Sequence, residues 1–136
     1  MVDARHSKAG SPQMSWREVL VIHKTLRGIG WESLLVDRGE SGYRNEFLPD
    51  GRIVYPGEGL RGNQQPTGGN RILLEAYADK RPMRVFAREG PNRWCDLGKY
   101  RVEKVQYSWL PPERRYIYRF TLTPELSTDY ESKLWL

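Results

Sequence analysis

Hydrophobic positions along the chain change their period once. Trp16, Val19, Leu20, His23 and Leu26 recur at helical spacing and mark one apolar face. Ser15 stands just ahead of them and Glu18 follows three residues later, the pattern of a capping box, while Gly28 and Gly30 supply the stop. His23 falls on or beside the apolar face, where a packed, hydrogen-bonded histidine is expected rather than a ligand. After Trp31 the apolar runs become short and alternate with polar residues, divided by Gly, Pro, Asp and Asn. Residues 34–36, 52–55, 83–87, 100–107 and 116–122 are predicted strands, with a hairpin connection at Leu110-Pro111-Pro112-Glu113. One short helix interrupts them, with Asn70 as its cap, Ile72, Leu73, Ala76 and Tyr77 on its buried side and Pro82 beyond its end. Residues 124–136 carry Leu126, Tyr130, Leu134 and Trp135 at a spacing that suits another short helix. The expectation is an α+β fold with a strongly bent or barrel-like β-sheet, about two flanking helices and no repeats.

The totals place these elements in one domain. The chain has 136 residues, enough for a single core, read as a loose polar tail over 1–13 and one domain over 14–136. Hydrophobic residues make up 38% and charged residues 29%, with a mean hydropathy of −0.73, values typical of globular proteins. No apolar run approaches the roughly 20 residues of a membrane span, and the N-terminal residues lack the apolar stretch of a secretory signal. Cys95 is the only cysteine, which excludes an internal disulfide and a cysteine-rich zinc site. His6 and His23 are the only histidines, so no histidine-based metal site, catalytic triad or cofactor is expected. A net charge of +5 suits a polyanionic partner.

Residues 57–70 read GEGLRGNQQPTGGN, too rich in glycine for a simple turn. Glycine serves where the backbone needs positive φ or where something approaches it closely. The stretch lacks the Gly-Lys-Ser/Thr ending of a phosphate-binding loop and the long βαβ surroundings of a dinucleotide site. By composition alone it is a long surface loop.

The order of features around that loop is more informative. Gly42-Tyr43 is followed by Glu46, a turn at Pro49-Asp50-Gly51, and a strand ending in Tyr55-Pro56-Gly57-Glu58-Gly59. Asn70-Arg71-Ile72-Leu73, then Pro82-Met83-Arg84-Val85, then Asp96-Leu97-Gly98 with Tyr100 come after it. Over roughly residues 39–122 this resembles the SRA family (SET- and RING-associated, also called YDG), which includes readers of 5-methylcytosine and recognition modules of modification-dependent restriction nucleases. The family's strand end is Tyr-x-Gly-x-Gly, its helix start Asn-x-Ala-Leu, and its pocket segment Gly-Tyr-x-x-acidic. Glu46 stands here where the family usually has Asp, and the Tyr-Asp-Gly signature survives only in part.

The resemblance implies an SRA/PUA-like fold that binds double-stranded DNA and flips a modified base, most simply 5-methylcytosine or a related 5-modified cytosine, into a pocket. Tyr43 and Tyr55 would sandwich the base, with Gly42, Pro56 and Gly57 closing around it. Glu46 would accept a hydrogen bond from an exocyclic amine, favouring cytosine or adenine over thymine. Arg61, Asn63, Gln64 and Gln65 at the loop tip would enter the vacated space. Arg71, Arg84 and Arg88 would hold phosphates. Such a module has no catalytic residues, and its place would be the cytoplasm of a prokaryote or phage-infected cell, or a eukaryotic nucleus.

Other readings stay open. Asp129-Tyr130-Glu131-Ser132-Lys133 has the Asp-x-Glu-x-Lys look of a nuclease metal site, though it lies in the C-terminal tail. A glycosylase would also flip a base, with Glu46 or Asp50 activating water. The chain also suits the recognition domain of a larger restriction endonuclease, or a barrel that binds RNA or protein.

Overall fold

The computed structural model describes residues 13–37 and 45–125. Helix α1 (Trp16–His23) starts as its capping box dictates: Ser15 Oγ accepts from the Glu18 N–H at 3.2 Å, and the Glu18 carboxylate accepts from the Ser15 N–H at 2.8 Å. The helix is shorter than its apolar spacing suggested. Lys24 takes a left-handed conformation (φ 66°) and ends it, so Leu26 lies outside the helix and is exposed. His23 is buried, its Nε2 2.6 Å from the Arg27 carbonyl and its Nδ1 2.6 Å from Ser33 Oγ. A carbonyl only accepts, so Nε2 carries the hydrogen, while the serine hydroxyl can pair with Nδ1 as donor or as acceptor. Burial favours the neutral form and pushes the His23 pKa down.

Six strands make one mixed sheet in the order β1-β4-β5-β6-β3-β2. They are β1 (Ser33–Val36), β2 (Glu46–Phe47), β3 (Ile53–Pro56), β4 (Met83–Gly90), β5 (Arg93–Leu110) and β6 (Arg115–Pro124), with helix α2 (Gly68–Asp79) between β3 and β4. Only the β1–β4 pairing is parallel. The predicted strands all form, and the 111–113 hairpin connection is a single 3₁₀ turn. Strand β5 starts seven residues before the predicted 100–107. Leu97 has no opposite number on β4, and Gly98 beside it has φ 86°, so a bulge breaks the alternation that marks strands in sequence. Helix α2 is capped at Thr67, not Asn70, whose side chain is used elsewhere.

The helices cover opposite faces. On one, Leu73 and Ala76 of α2 pack with Leu34, Val36, Val85 and Phe120. On the other, Val19 of α1 meets Phe86 and Trp94, with Trp16 and Leu35 at the margin. Met14 pairs with Trp94 through two 2.8 Å backbone bonds, tying the start of α1 to β5.

The barrel-like sheet expected from the sequence is not what forms. β1 and β2 stand at opposite ends of an open sheet and do not pair. The physical reason lies in the free edge of β1, whose backbone groups are already used. The Leu35 N–H donates to Gly28 O and the Ser33 carbonyl accepts from Gly30 N–H, both at 2.8 Å. The Leu35 carbonyl accepts from the Tyr55 hydroxyl at 3.1 Å. A side chain thus spans the gap where a ladder would have to close it.

A candidate base-binding cavity between β1 and β3

The gap left by the open sheet is the candidate site. β2 pairs only with Val54 and Ile53, so among the described residues no strand flanks Tyr55 and Pro56 on that side. A cavity of about 650 Å³ lies there. Leu35 of β1 and Asp37 just beyond it bound it on one side, and Asn45, Tyr55, Pro56, Gly57 and Glu58 on the opposite side. Arg27, Gly28 and Ile29 form a third wall, and Trp16 and Trp94 a fourth. Three aromatic side chains therefore converge on one space. Tyr55 is held by its hydroxyl bond to Leu35 and is only 7% exposed. The Trp16 and Trp94 rings pack with centroids 5.4 Å apart, tilted by 38°.

The glycine-rich segment is built onto this wall rather than hanging from it. Gly57 has no room for a side chain: a Cβ there would sit 2.8 Å from Asn70 Oδ1 and 2.9 Å from the Tyr118 Cβ. The Glu58 carboxylate accepts from the Gly69 N–H at 2.9 Å, a favourable place for an anion at the start of α2. Asn70 Oδ1 accepts from the Glu58 N–H at 2.6 Å, and its Nδ2 donates to the carbonyls of Glu58 (3.0 Å) and Gln65 (2.9 Å). Gln64 Nε2 donates to the carbonyls of Gly57 (2.7 Å) and Gly59 (3.0 Å), while its Oε1 accepts from the Tyr118 N–H (2.8 Å). Arg115, 8% exposed, donates to the carbonyls of Gly59 and Gly62.

The residues singled out from sequence are dispersed by this arrangement. Tyr55, Pro56 and Gly57 line the cavity together. Gly42 and Tyr43 lie outside the described residues, as do residues 129–133. Glu46 is exposed on β2 and does not line the cavity. Of the loop residues, Gln64 is buried with its amide fully used, so it holds the loop instead of projecting from it. Arg61, Asn63 and Gln65 are exposed, with Asn63 Oδ1 accepting from the Tyr116 N–H at 2.8 Å. Arg71 is exposed and pairs with Glu75 at 3.3 Å, one turn along α2. Arg84 is committed to Asp96 through both Nε and Nη2, a bond that raises its pKa further, and Arg88 is half-buried beside a second, smaller cavity.

Sequence reasoning missed Trp16, Trp94, Arg27 and Asn45 as parts of one site. Trp16 and Trp94 are brought together by the Met14–Trp94 pairing and by the Trp16 N–H donating to Asn92 Oδ1 at 2.8 Å, contacts between distant segments. For Asn45 a signal existed, since it adjoins the acidic position that the motif drew attention to.

The profile of the ScoMcrA-like SRA domain matches residues 30–129. The chain belongs to the ScoMcrA-like SRA domain family. No curated protein matches it. Among solved structures, the SUVH5 SRA domain in complex with hemimethylated CG DNA is similar, with a TM-score of 0.70 at 23% identity over 86% of this chain and 91% of that one. The modification-dependent TagI restriction endonuclease gives 0.70 at 18% identity, covering 88% of this chain and 51% of that one. ScoMcrA itself, with its sulfur-binding and SRA domains complexed with phosphorothioated DNA, gives 0.64 at 21% identity over 86% and 40%. At these identities the likeness establishes the fold. This SRA domain thus shares its fold with DNA-bound relatives and spans about half of the TagI chain and 40% of the ScoMcrA chain.

Proposed function

We propose that this SRA domain binds double-stranded DNA carrying a modified cytosine and holds that base, turned out of the duplex, in the cavity between β1 and β3. The observation that carries the reading is the convergence of Tyr55, Trp16 and Trp94 on one cavity at the Tyr-x-Gly-x-Gly end of β3. Flat rings suit a base, and the volume falls in the range of about 300–1,000 Å³ usual for small-ligand sites. Stacking worth about 1–3 kcal/mol per base offsets an unstacking cost of a few kcal/mol. SUVH5 SRA complexes with methylated and hydroxymethylated CG DNA support cytosine as the base.

Asp37 and Asn45 both line the cavity and bracket Tyr43 in sequence, which keeps Tyr43 as the proposed second stacking ring. The exposed tip around Arg61, with Asn63 and Gln65, is assigned to the space the base leaves. Arg27 at the cavity and Arg71 on α2 are assigned to phosphates. The reading is of a binding module rather than an enzyme. No helix among the described residues is long and apolar enough to cross a membrane, and a DNA partner points to a prokaryotic cytoplasm or a nucleus.

Binding to matched duplexes carrying cytosine, 5-methylcytosine, 5-hydroxymethylcytosine or N6-methyladenine, at one fixed salt concentration, tests the proposal. Preference for one modified cytosine is expected. Tyr55→Leu keeps apolar bulk but removes the flat ring, and should weaken that binding about 5- to 150-fold. Equal weak binding to all four duplexes, unaltered by the variant, would leave only a basic surface. A second reading, the recognition part of a modification-dependent nuclease, is favoured by the partial coverage of TagI and ScoMcrA. It predicts the same binding, with cleavage supplied by further domains.

A further inference from the structure

The strand register decides which polar side chain faces the cavity. Glu46 stands opposite Val54 and Phe47 opposite Ile53, so Asn45 falls level with Tyr55. Side chains alternate between the faces of a sheet, which puts Asn45 on the side of Tyr55 and Glu46 on the other. Burial agrees: Asn45 is 8% exposed and lines the cavity, whereas Glu46 is exposed and does not. The Asn45 amide is also half-used. Its Oδ1 accepts from the Asp37 N–H at 2.9 Å, and because an N–H can only donate, the oxygen and nitrogen of the amide are assigned without ambiguity. Its Nδ2 is buried and has no hydrogen-bond partner among the described residues. Buried polar groups are nearly always paired, so a lone donor on a cavity wall marks the place of a missing acceptor.

We infer that Asn45, and not the neighbouring Glu46, is the residue that reads the flipped base, with Nδ2 donating to a carbonyl oxygen or unprotonated ring nitrogen on its edge. For cytosine these are O2 and N3. Asn45 is pre-oriented for this because the Asp37 N–H fixes its amide before DNA arrives. The inference rests on the base-reading function proposed above. It replaces the expected acceptor for an exocyclic amine with a donor for a ring-edge acceptor, so the site recognises a different edge pattern from the one the sequence suggested.

The test uses the whole chain, a duplex with one central 5-methylcytosine and its unmodified twin, and the variants Asn45→Asp and Glu46→Gln. Asp retains the oxygen that accepts from Asp37 but swaps the donor for an acceptor, so a purely structural role survives the change while base reading does not. Asn45→Asp should lose binding to the methylated duplex about ten- to a hundredfold, as expected when a buried donor is removed and an acceptor faces an acceptor. Glu46→Gln should stay within about twofold, as expected of a side chain outside the cavity. Methylated-duplex binding that survives Asn45→Asp, or is lost in Glu46→Gln, overturns the inference while leaving base reading intact. A wild-type protein with no preference for the methylated duplex overturns both together. A measurement on the wild type covers the case of a variant that does not fold. The Asn45 side-chain amide protons should move downfield in a ¹⁵N-resolved spectrum when the methylated duplex is added, and unchanged resonances in a saturated complex overturn the assignment.

Discussion

Gln64 and Gln65 are identical neighbours in the glycine-rich loop, yet their surroundings are opposite. Gln64 is 3% exposed and its amide bonds to three backbone groups, while Gln65 is exposed and reaches only the Asn63 carbonyl at 3.3 Å. Replacing Gln64 by Ala would leave the carbonyls of Gly57 and Gly59 and the Tyr118 N–H without partners. Chemical denaturation should show a loss of about 2–3 kcal/mol for Gln64→Ala. Gln65→Ala should stay within about 0.5 kcal/mol. Equal effects would mean that the loop is not held by Gln64. Composition could not separate the pair, because both are polar and both lie in a loop. Only the position of Tyr118, some fifty residues on, makes one of them structural.

Helix α1 is joined to β1 through His23, and the cavity wall at Arg27, Gly28 and Ile29 follows directly from that joint. Burial favours the neutral imidazole and holds its pKa below the ordinary 6.5. The unfolded chain therefore binds this proton more readily than the native protein. Stability is fully present above about pH 6.5 and is lost as pH falls below it toward the depressed native value. Glu18 and Asp50, whose pKa values their hydrogen bonds lower, contribute losses only in more acidic solution, below their ordinary 4.5 and 3.8. Thermal melts should therefore show a falling Tm between about pH 7.5 and about pH 5.5. His23→Gln should remove that fall, and an unchanged pH dependence in the variant would assign it elsewhere. The satisfied, buried histidine was legible from its place on the apolar face. Its partners were not, because Ser33 and Arg27 are set by the turn after the helix. The early end of α1 at Lys24 was equally hidden, since Leu26 continues the apolar spacing without belonging to the helix.

At the scale of the whole molecule, the net charge of +5 predicts an affinity for DNA that falls steeply with salt. Arg27 is exposed and lines the cavity, whereas the Arg84 guanidinium is taken up by Asp96. Arg27→Ala should reduce the slope of log affinity against log salt by about one, and Arg84→Ala should leave the slope nearly unchanged. The reverse result would place the phosphate track over β4. Openness of the sheet matters at this scale as well. A closed barrel would have paired β1 with the strand end that now carries Tyr55, and the cavity would have been filled by a backbone ladder.

By itself the sequence determined most of the elements and the family, but not the short β2, the early end of α1 or the start of β5. The capping box, the alternating strands and the hairpin connection at 110–113 are local patterns that local backbone preferences decide, and the run from Tyr55 to Asn70 is recognisable as a local motif. An α+β fold with two helices was legible, while the openness of the sheet was not. Tertiary structure alone decided that the sheet stays open, that Trp16 and Trp94 meet beside Tyr55, and that Asn45 rather than Glu46 lies level with that tyrosine. Each of these depends on pairing between distant segments, and in a sheet a shift of one residue exchanges the two faces. A motif can therefore mark the right segment and still leave undecided which of two adjacent side chains faces the ligand.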